Sequence, residues 1–156
     1  MNNKFDKLEL LLKEKSITVS VAESCTGGNL SSLLTRNSGS SDYFDRGYIT
    51  YSNEAKINML GVSPNTINDF GAVSEQTATQ MVQGVINNSS SSVAVAVTGI
   101  AGPTGGSILK PVGMVCFGFC ILGAYFSTTE YFSGDRAQVI TSSVDFVVDT
   151  LINELS

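Results

Sequence analysis

The feature that most constrains the fold is a short apolar segment that ends in a run of polar residues and glycines. Residues 19–22, Val-Ser-Val-Ala, are typical of a buried strand, and they lead directly into residues 23–28, Glu-Ser-Cys-Thr-Gly-Gly. A helical pattern begins at Asn29. Strand, sharp turn and helix in this order are typical of open α/β sheets, whose ligands bind at the carboxyl ends of the strands. We therefore predict an α/β fold with a functional site at residues 23–28.

A second apolar segment, residues 93–97, is followed at once by a loop rich in glycine. Backbone amides in such a loop can approach an anion closely, which makes the loop a candidate cradle for a phosphate or a ribose. It matches neither the GxxxxGK(S/T) loop nor the GxGxxG fingerprint, and a turn that only needs unusual backbone angles is the alternative. The candidate binding residues are Thr98, Gly99, Gly102, Gly105 and Gly106.

The remaining segments predict alternating helices and strands, with an antiparallel pair near the end. Gly47 suggests a bulge or a close contact within a strand at 43–51. Helices are predicted at 4–14, 29–35, 53–60 and 74–87 and after Asp135, and a turn or short helix at 64–71. A capping box at 74–77 opens the helix at 74–87. Residues 112–122 and 124–132 are predicted to form a hairpin. We predict one α/β domain over residues 1–156, in which a mixed β-sheet is flanked by helices.

Composition and charge limit the partners. The net charge is −5 and the nine Lys and Arg residues are scattered, so we expect no nucleic-acid partner. Residues 1–15 carry charges throughout and other apolar runs are short or interrupted, so we expect neither a signal peptide nor a membrane partner.

Charged residues make up only 15% of the chain, against about 25% in ordinary domains, and we expect a homo-oligomer that buries apolar surface between subunits. The three cysteines follow no disulfide or zinc spacing, which predicts reduced thiols and a cytoplasmic protein.

The chain contains no histidine. Histidine is the most frequent general base and a common ligand of transition metals. Its absence excludes a Ser-His-Asp triad, a Cys-His dyad and a histidine-based metal site. Any serine chemistry in this chain must therefore use another base.

Ser24 has two interpretations. It could cap the helix that follows, or it could be a nucleophile whose neighbouring backbone N–H groups stabilise an oxyanion. Lys56 could be a solvated helix residue, or a base if burial lowered its pKa by about three units, at a cost near 4 kcal/mol. Tyr51 could be an ordinary amphipathic residue at the edge of the sheet, or its hydroxyl could relay a proton between serine and lysine.

Two further alternatives concern the nucleophile and the anion partner. Cys25 competes with Ser24, because a thiolate is intrinsically the better nucleophile, but a buried small residue is the simpler interpretation. Lys110 and Arg136 are candidate partners for a phosphate, and the planar fork of arginine favours Arg136.

Taken together, six blocks of the sequence resemble the carboxy-terminal domain of the competence/damage-inducible protein CinA, a family that includes stand-alone nicotinamide-nucleotide amidases. The blocks cover almost the whole chain and keep the order of the family. They are AESCTGG at 22–28, GYITYSNEAK at 47–56, GAVSE at 71–75, TGIAGP at 98–103, KPVG at 110–113 and GDR at 134–136.

The resemblance implies hydrolysis of nicotinamide mononucleotide to nicotinate mononucleotide and ammonia, in pyridine nucleotide recycling. It implies Ser24 as nucleophile, Lys56 as base and Tyr51 as a supporting residue, with no metal or organic cofactor. Thr26 and Gly27, together with Cys25, offer candidate N–H groups for an oxyanion hole. The glycine-rich loop and Arg136 would hold the phosphate. A nucleotide- or phosphate-binding module without catalysis is the alternative, and a structural partner domain is a weaker one.

Two departures from the family pattern lie beside the glycine-rich loop. Met114 stands where the family usually has threonine, and Ile108-Leu109 replaces a stretch that is typically charged or polar. We expect these changes to alter affinity or packing at the rim of the loop.

Overall fold

In the described chain, five strands form one sheet, in the order Phe44–Ile49, Val19–Glu23, Val93–Gly99, Met114–Ile121 and Ala124–Tyr131. The computed structural model describes residues 3–156. Its elements, in chain order, are α1 (Asn3–Glu14), β1 (Val19–Glu23), α2 (Asn29–Leu34), a 3-10 turn (Ser40–Asp42), β2 (Phe44–Ile49), α3 (Asn53–Leu60), α4 (Pro64–Phe70), α5 (Glu75–Asn87), β3 (Val93–Gly99), β4 (Met114–Ile121), β5 (Ala124–Tyr131) and α6 (Arg136–Leu155).

Strands β2, β1 and β3 are parallel, whereas β4 runs antiparallel to β3 and β5 antiparallel to β4. The predicted α/β fold, with a mixed sheet and a late antiparallel hairpin, is confirmed. Because the three parallel strands point the same way, the segments that follow β1, β2 and β3 meet at one end of the sheet. This end carries the polar turn and the glycine-rich loop.

One face of the sheet is covered by α1, α2 and α6. Its buried side chains are large and apolar, with Val95 at the centre and Phe117 and Phe119 on β4. The aromatic ring of Phe117 also contacts Phe146 of α6, with 4.6 Å between ring centroids. Burial of these side chains is the main force that fixes α6, whose first residue is Arg136, against the sheet.

The opposite face carries small residues, and this lets α5 lie close to the sheet. Ala94 and Ala96 of β3 are fully buried against α5, and a Cβ on Gly118 would collide with the backbone carbonyl of Ala78. On its other side α5 contacts α3, where a Cβ on Gly84 would collide with the backbone of Leu60. The position of α3, which carries Lys56, thus depends on two glycines that allow close backbone contact.

Of the two alternatives predicted at Gly47, a bulge or a close contact, the close contact is confirmed. The bulge in β2 lies opposite Val19 and Ser20, where Asp45 is skipped in the pairing. Gly47 is instead the site of a close contact, because a Cβ there would lie 2.5 Å from Ser31 Oγ. The predicted capping box at residues 74–77 is wrong: Ser74 caps α5 by accepting from Thr77 N, but threonine cannot return the reciprocal bond that a Glu or Gln would make.

A complete capping box does occur at the start of α6, between Asp135 and Gln138. It fixes the first turn of the helix, in which Arg136 lies. Within the described part of the chain, no helix is long and apolar enough to cross a membrane. The homo-oligomer stays a prediction.

Candidate active site

A cleft of about 250 Å³ lies at the carboxyl ends of the parallel strands. The turn after β1, the start of α3 and the glycine-rich loop after β3 all contribute to it. The residues that line it are Ser24, Cys25, Tyr51, Asn53, Lys56, Ala72, Val73, Thr98, Gly99, Ile100, Ala101, Gly102, Thr104, Gly105 and Arg136. The cleft therefore brings together segments that are far apart in the sequence.

Ser24 and Lys56 are in direct contact in this cleft. Lys56 Nζ lies 2.9 Å from Ser24 Oγ. Lys56 is only 1% exposed and Ser24 only 8% exposed. Ser52 caps α3 one turn before Lys56, and the packing of α3 against α5 places the lysine on the buried side of the helix. A lysine that looks like a solvated helix residue in the sequence is thus buried beside a hydroxyl.

Two backbone carbonyls hold the amine of Lys56. Nζ donates to Thr50 O at 2.9 Å and to Tyr51 O at 3.1 Å. A neutral amine has two N–H bonds and one lone pair. In the charged form Nζ also donates a third N–H to Ser24 Oγ. In the neutral form, with both N–H groups on the two carbonyls, the lone pair takes the place of that third N–H and faces the Ser24 hydroxyl. This arrangement suits removal of a proton from Ser24.

Burial lowers the pKa of Lys56 to about 8. The charged form is disfavoured because the amine has lost its hydration, and no ion pair with a carboxylate offsets this loss among the residues described. About a tenth of the lysine is therefore neutral at pH 7, and more at higher pH. The amine is available as a base near neutral pH.

Cys25 lines the cleft but belongs to the apolar core under the sheet. Burial raises the pKa of its thiol to about 12. The thiol is therefore protonated at neutral pH, which favours the interpretation of Cys25 as a buried small residue over that of a nucleophile.

The helix-cap interpretation of Ser24 is wrong. The residue at the N-cap of α2 is Gly28, which has a positive φ and no side-chain cap. The carboxylate of Glu23 instead accepts from the N–H groups of Leu30 and Ser31. Ser24 thus lies outside the helix. In the described chain its hydroxyl forms hydrogen bonds with Lys56 Nζ at 2.9 Å and with Tyr51 O at 3.4 Å, and with no other group.

Tyr51 contributes through its backbone where the sequence suggested its side chain. Its carbonyl faces Lys56 and Ser24, whereas its exposed hydroxyl accepts a hydrogen bond of 2.9 Å from Arg136. Direct contact between Lys56 and Ser24 removes the need for a relay through this hydroxyl. Arg136 also donates to Gly102 O at 2.8 Å, so it joins Tyr51 to the glycine-rich loop.

The predicted residues of the first turn occupy different positions. Thr26 is buried, and its hydroxyl donates to Glu23 at 2.7 Å, while Gly27 N donates to Ser24 O at 3.0 Å. Neither residue lines the cleft. In the described part of the chain, the N–H groups of Cys25 and Thr26 donate to no other residue, and that of Cys25 interacts only with its own thiol. The N–H of Gly27 is occupied.

Most predicted residues of the second loop do line the cleft. Gly99, Gly102 and Gly105 lie along its wall, and Gly106 lies outside it. Thr98 also contributes to the wall, but its hydroxyl donates to Ala72 O at 3.0 Å and holds the segment before α5 in place. Lys110 lies outside the cleft and donates to the carbonyl of Phe70.

Three residues of the wall, Asn53, Ala72 and Val73, are not among those predicted from the sequence. Asn53 lies three residues before Lys56, and residues at this spacing share one face of a helix, which was the available signal. Ala72 and Val73 gave no chemical signal, because their side chains carry no functional group. The described residues contain no group of His, Cys, Asp and Glu that could hold a metal ion.

Comparison with known proteins places this geometry in a family. The model of the CinA C-terminal domain matches residues 2–155. The nicotinamide-nucleotide amidohydrolase PncC of Enterobacter agglomerans is 48% identical over 144 residues, which are 92% of this chain and 88% of that protein. A putative competence-damage inducible protein of Caldicellulosiruptor saccharolyticus is 47% identical over 141 residues, which are 90% of this chain but 34% of that protein. The chain thus spans about a third of the length of this longer relative.

Solved structures of the same family have the same fold as this chain. The competence or damage-inducible protein of Enterobacter asburiae has a TM-score of 0.94 at 37% identity, over 98% of this chain and 96% of that one. A CinA superfamily protein of Klebsiella pneumoniae has a TM-score of 0.95 at 32% identity, over 99% and 98% of the two chains. The fold described above is therefore shared along nearly the full length of both structures.

Proposed function

Because this chain belongs to the CinA C-terminal domain family, we propose that it is an amidohydrolase that converts nicotinamide mononucleotide to nicotinate mononucleotide and ammonia. The name of the Enterobacter agglomerans relative supports this substrate class. The observation that carries the proposal is the buried contact of 2.9 Å between Lys56 Nζ and Ser24 Oγ. Such a pair supplies a nucleophile and a base in a protein that has no histidine.

The reaction begins with attack of Ser24 on the carboxamide carbon. Neutral Lys56 accepts the hydroxyl proton while Oγ forms a bond to carbon, which gives a tetrahedral oxyanion. The N–H of Cys25 is the first candidate for stabilising its negative charge, because Cys25 lines the cleft and its N–H donates to no other residue of the described chain. The N–H of Thr26 is also without a partner there, but Thr26 lies behind the wall of the cleft. Gly27 is a poorer candidate because its N–H is bonded to Ser24 O.

The second step releases ammonia. Protonated Lys56 donates its proton to the amide nitrogen, the C–N bond breaks, and an ester between Ser24 and the nicotinoyl group remains. Water then attacks this ester, Lys56 accepts a proton from the water, and that proton returns to Ser24 as the C–O bond breaks. One water is consumed and one ammonia is formed, with no change of oxidation state.

The phosphate of the substrate would lie between the glycine-rich loop and Arg136. Gly102 and Gly105 line the cleft with a positive φ, and backbone turns of this kind can point their N–H groups at an anion. Arg136 has five N–H donors, of which two are used for Tyr51 and Gly102. The three remaining N–H groups can donate to phosphate oxygens without loss of these two bonds. We propose that the reaction belongs to pyridine nucleotide recycling in the cytoplasm.

The test measures ammonia and nicotinate mononucleotide formed from nicotinamide mononucleotide. Ser24→Ala and Lys56→Ala should abolish both products while the thermal melting transition remains. Ser32→Ala and Lys7→Ala, which alter exposed residues outside the cleft, are the matched controls and should keep the wild-type rate. An unchanged rate in Ser24→Ala would exclude Ser24 as the nucleophile. Calorimetric binding of the nucleotide without any product would favour the non-catalytic binding module.

A further inference from the structure

We propose that Glu23 is a positioning residue for Ser24, because its buried carboxylate fixes the turn that holds the nucleophile and the candidate oxyanion N–H groups. This inference rests on the proposed role of Ser24 as nucleophile. Glu23 is the last residue of β1 and directly precedes Ser24. Its side chain does not line the cleft, so it acts through other groups.

The carboxylate of Glu23 is fully buried and accepts four hydrogen bonds. Oε1 accepts from Thr26 Oγ1 at 2.7 Å and from Leu30 N at 2.8 Å. Oε2 accepts from the N–H of Ser31 at 2.9 Å and from its hydroxyl at 2.7 Å. All four donors are neutral, and no ion pair with Lys or Arg is found for Glu23 in the described chain.

A buried charge without an ion pair is costly unless hydrogen bonds replace its hydration. The four bonds to Glu23 meet this requirement, and they satisfy N–H groups in the first turn of α2 that no side-chain cap serves. Gly47 makes the arrangement possible, since a Cβ at that position would lie 2.5 Å from Ser31 Oγ. A fully satisfied buried group of this kind limits the conformations that the turn can adopt.

The constraint reaches both parts of the catalytic machinery. Ser24 N donates to Val97 O at 2.9 Å, and Thr50 N donates to the backbone carbonyl of Glu23 at 2.9 Å. Glu23 is therefore tied by its backbone to the segment whose carbonyls hold Lys56, and by its side chain to Thr26. The N–H groups of Cys25 and Thr26 lie between these fixed points.

Replacement by glutamine identifies what the carboxylate does. Glutamine has nearly the same shape, but one of its two terminal atoms is an NH₂ group that cannot accept a bond from a backbone N–H. Whichever way the amide is turned, either Leu30 N or Ser31 N faces a donor. The variant therefore loses one bond to the backbone of α2 and lets the turn shift, while the volume of the side chain is kept.

The experiment measures the reactivity of Ser24 without relying on the substrate. An alkyl fluorophosphonate forms a bond between Ser24 Oγ and phosphorus as fluoride leaves, and the hydroxyl proton passes to Lys56. Mass spectrometry then gives the labelling rate at Ser24 in wild type, Glu23→Gln and Glu75→Gln. Glu75→Gln is the matched control, because Glu75 is a partly buried carboxylate outside the cleft that likewise accepts hydrogen bonds from neutral donors, the hydroxyls of Ser127 and Thr129.

We expect labelling of Ser24 in Glu23→Gln to slow by a factor of roughly 10 to 100, the range that a displacement near 1 Å produces. Labelling in Glu75→Gln should match wild type. The rate of Glu23→Gln should be lower by a constant factor at every pH from 6 to 9, because the change affects position and leaves the proton affinity of Lys56 alone. With nicotinamide mononucleotide, kcat should fall and KM should stay close to the wild-type value.

Three results would overturn the inference: labelling of Glu23→Gln at the wild-type rate, a shifted midpoint of its pH profile, or no labelling of Ser24 in wild type. Wild type that is labelled at Ser24 but releases no ammonia contradicts the proposed substrate alone, and the Glu23 comparison still holds. If Glu23→Gln does not fold, Ser31→Ala removes one of the four bonds and should slow labelling by a smaller factor. An unchanged rate in a folded Ser31→Ala would then overturn it.

Discussion

The buried lysine should make the stability of this protein depend on pH in a way that one substitution removes. Lys56→Met keeps an unbranched side chain of similar length but has no titrating group. In the folded wild type burial lowers the pKa of Lys56 from 10.5 to about 8. The unfolded chain therefore binds more protons than the folded chain between these two values, and the stability of the wild type rises with pH across this window.

The size of the effect follows from the two pKa values. Below pH 8 the charged lysine destabilises the folded state by about 3 kcal/mol relative to a lysine with an unshifted pKa. This penalty decreases as pH rises towards 10.5. Between pH 7 and pH 10, wild type should gain roughly 2 to 3 kcal/mol in unfolding free energy relative to Lys56→Met. The lost hydrogen bonds to the Thr50 and Tyr51 carbonyls shift the difference at every pH by a similar amount, so they do not enter this change.

Urea unfolding at pH 7, 8, 9 and 10 measures the difference for the two proteins side by side. Titration of other groups affects both proteins and cancels in the comparison. Lys7→Met, which removes an exposed lysine, controls for the general loss of one positive charge. A difference between wild type and Lys56→Met that stays constant from pH 7 to pH 10 would refute a lowered pKa for Lys56, and with it the basis for its role as a base.

Two further predictions concern the reaction. The value of kcat/KM for nicotinamide mononucleotide should rise by roughly tenfold per pH unit below pH 7.5 and level off above pH 8.5, because only neutral Lys56 accepts the proton of Ser24. Initial rates in buffers of constant ionic strength give this pH profile. A value of kcat/KM that does not change with pH would contradict Lys56 as the base. Arg136→Ala should raise KM by roughly 10- to 100-fold, as expected for loss of a charge-assisted hydrogen bond, while Arg136→Lys should lie between it and wild type because the charge remains but the planar fork is lost. A KM unchanged in both variants would remove Arg136 from the phosphate site.

Much of the fold could be predicted from local patterns. The strands and helices have apolar residues at the expected spacing, and glycines at the turns mark where they end. The pairing of β4 with β5 follows from their short connection at Gly123. The pattern at residues 74–77 predicts a capping box that does not form, because Thr77 lacks the side-chain amide or carboxylate oxygen that accepts the reciprocal bond. Asp135 and Gln138 form such a box at the start of α6.

The candidate site was only partly accessible from the sequence. The absence of histidine restricted the base to another residue type, and this conclusion needed no structure. The sequence alone left open whether Lys56 is solvated or buried, because burial depends on where α3 lies. That position depends on contacts with α5 through Gly84 and Leu60, which are 24 residues apart in the sequence.

The turn at residues 23–28 shows the same division. The sequence alone determined that a strand ends in this turn, that polar side chains lie at the carboxyl end of that strand, and that two glycines follow them. Tertiary structure decided that Gly28 and Glu23 serve the start of α2, which leaves the Ser24 hydroxyl for Lys56. Local sequence encodes the conformation of a segment, but hydrogen-bond partners and the pKa of a buried amine depend on side chains and carbonyls that only the folded chain brings within reach.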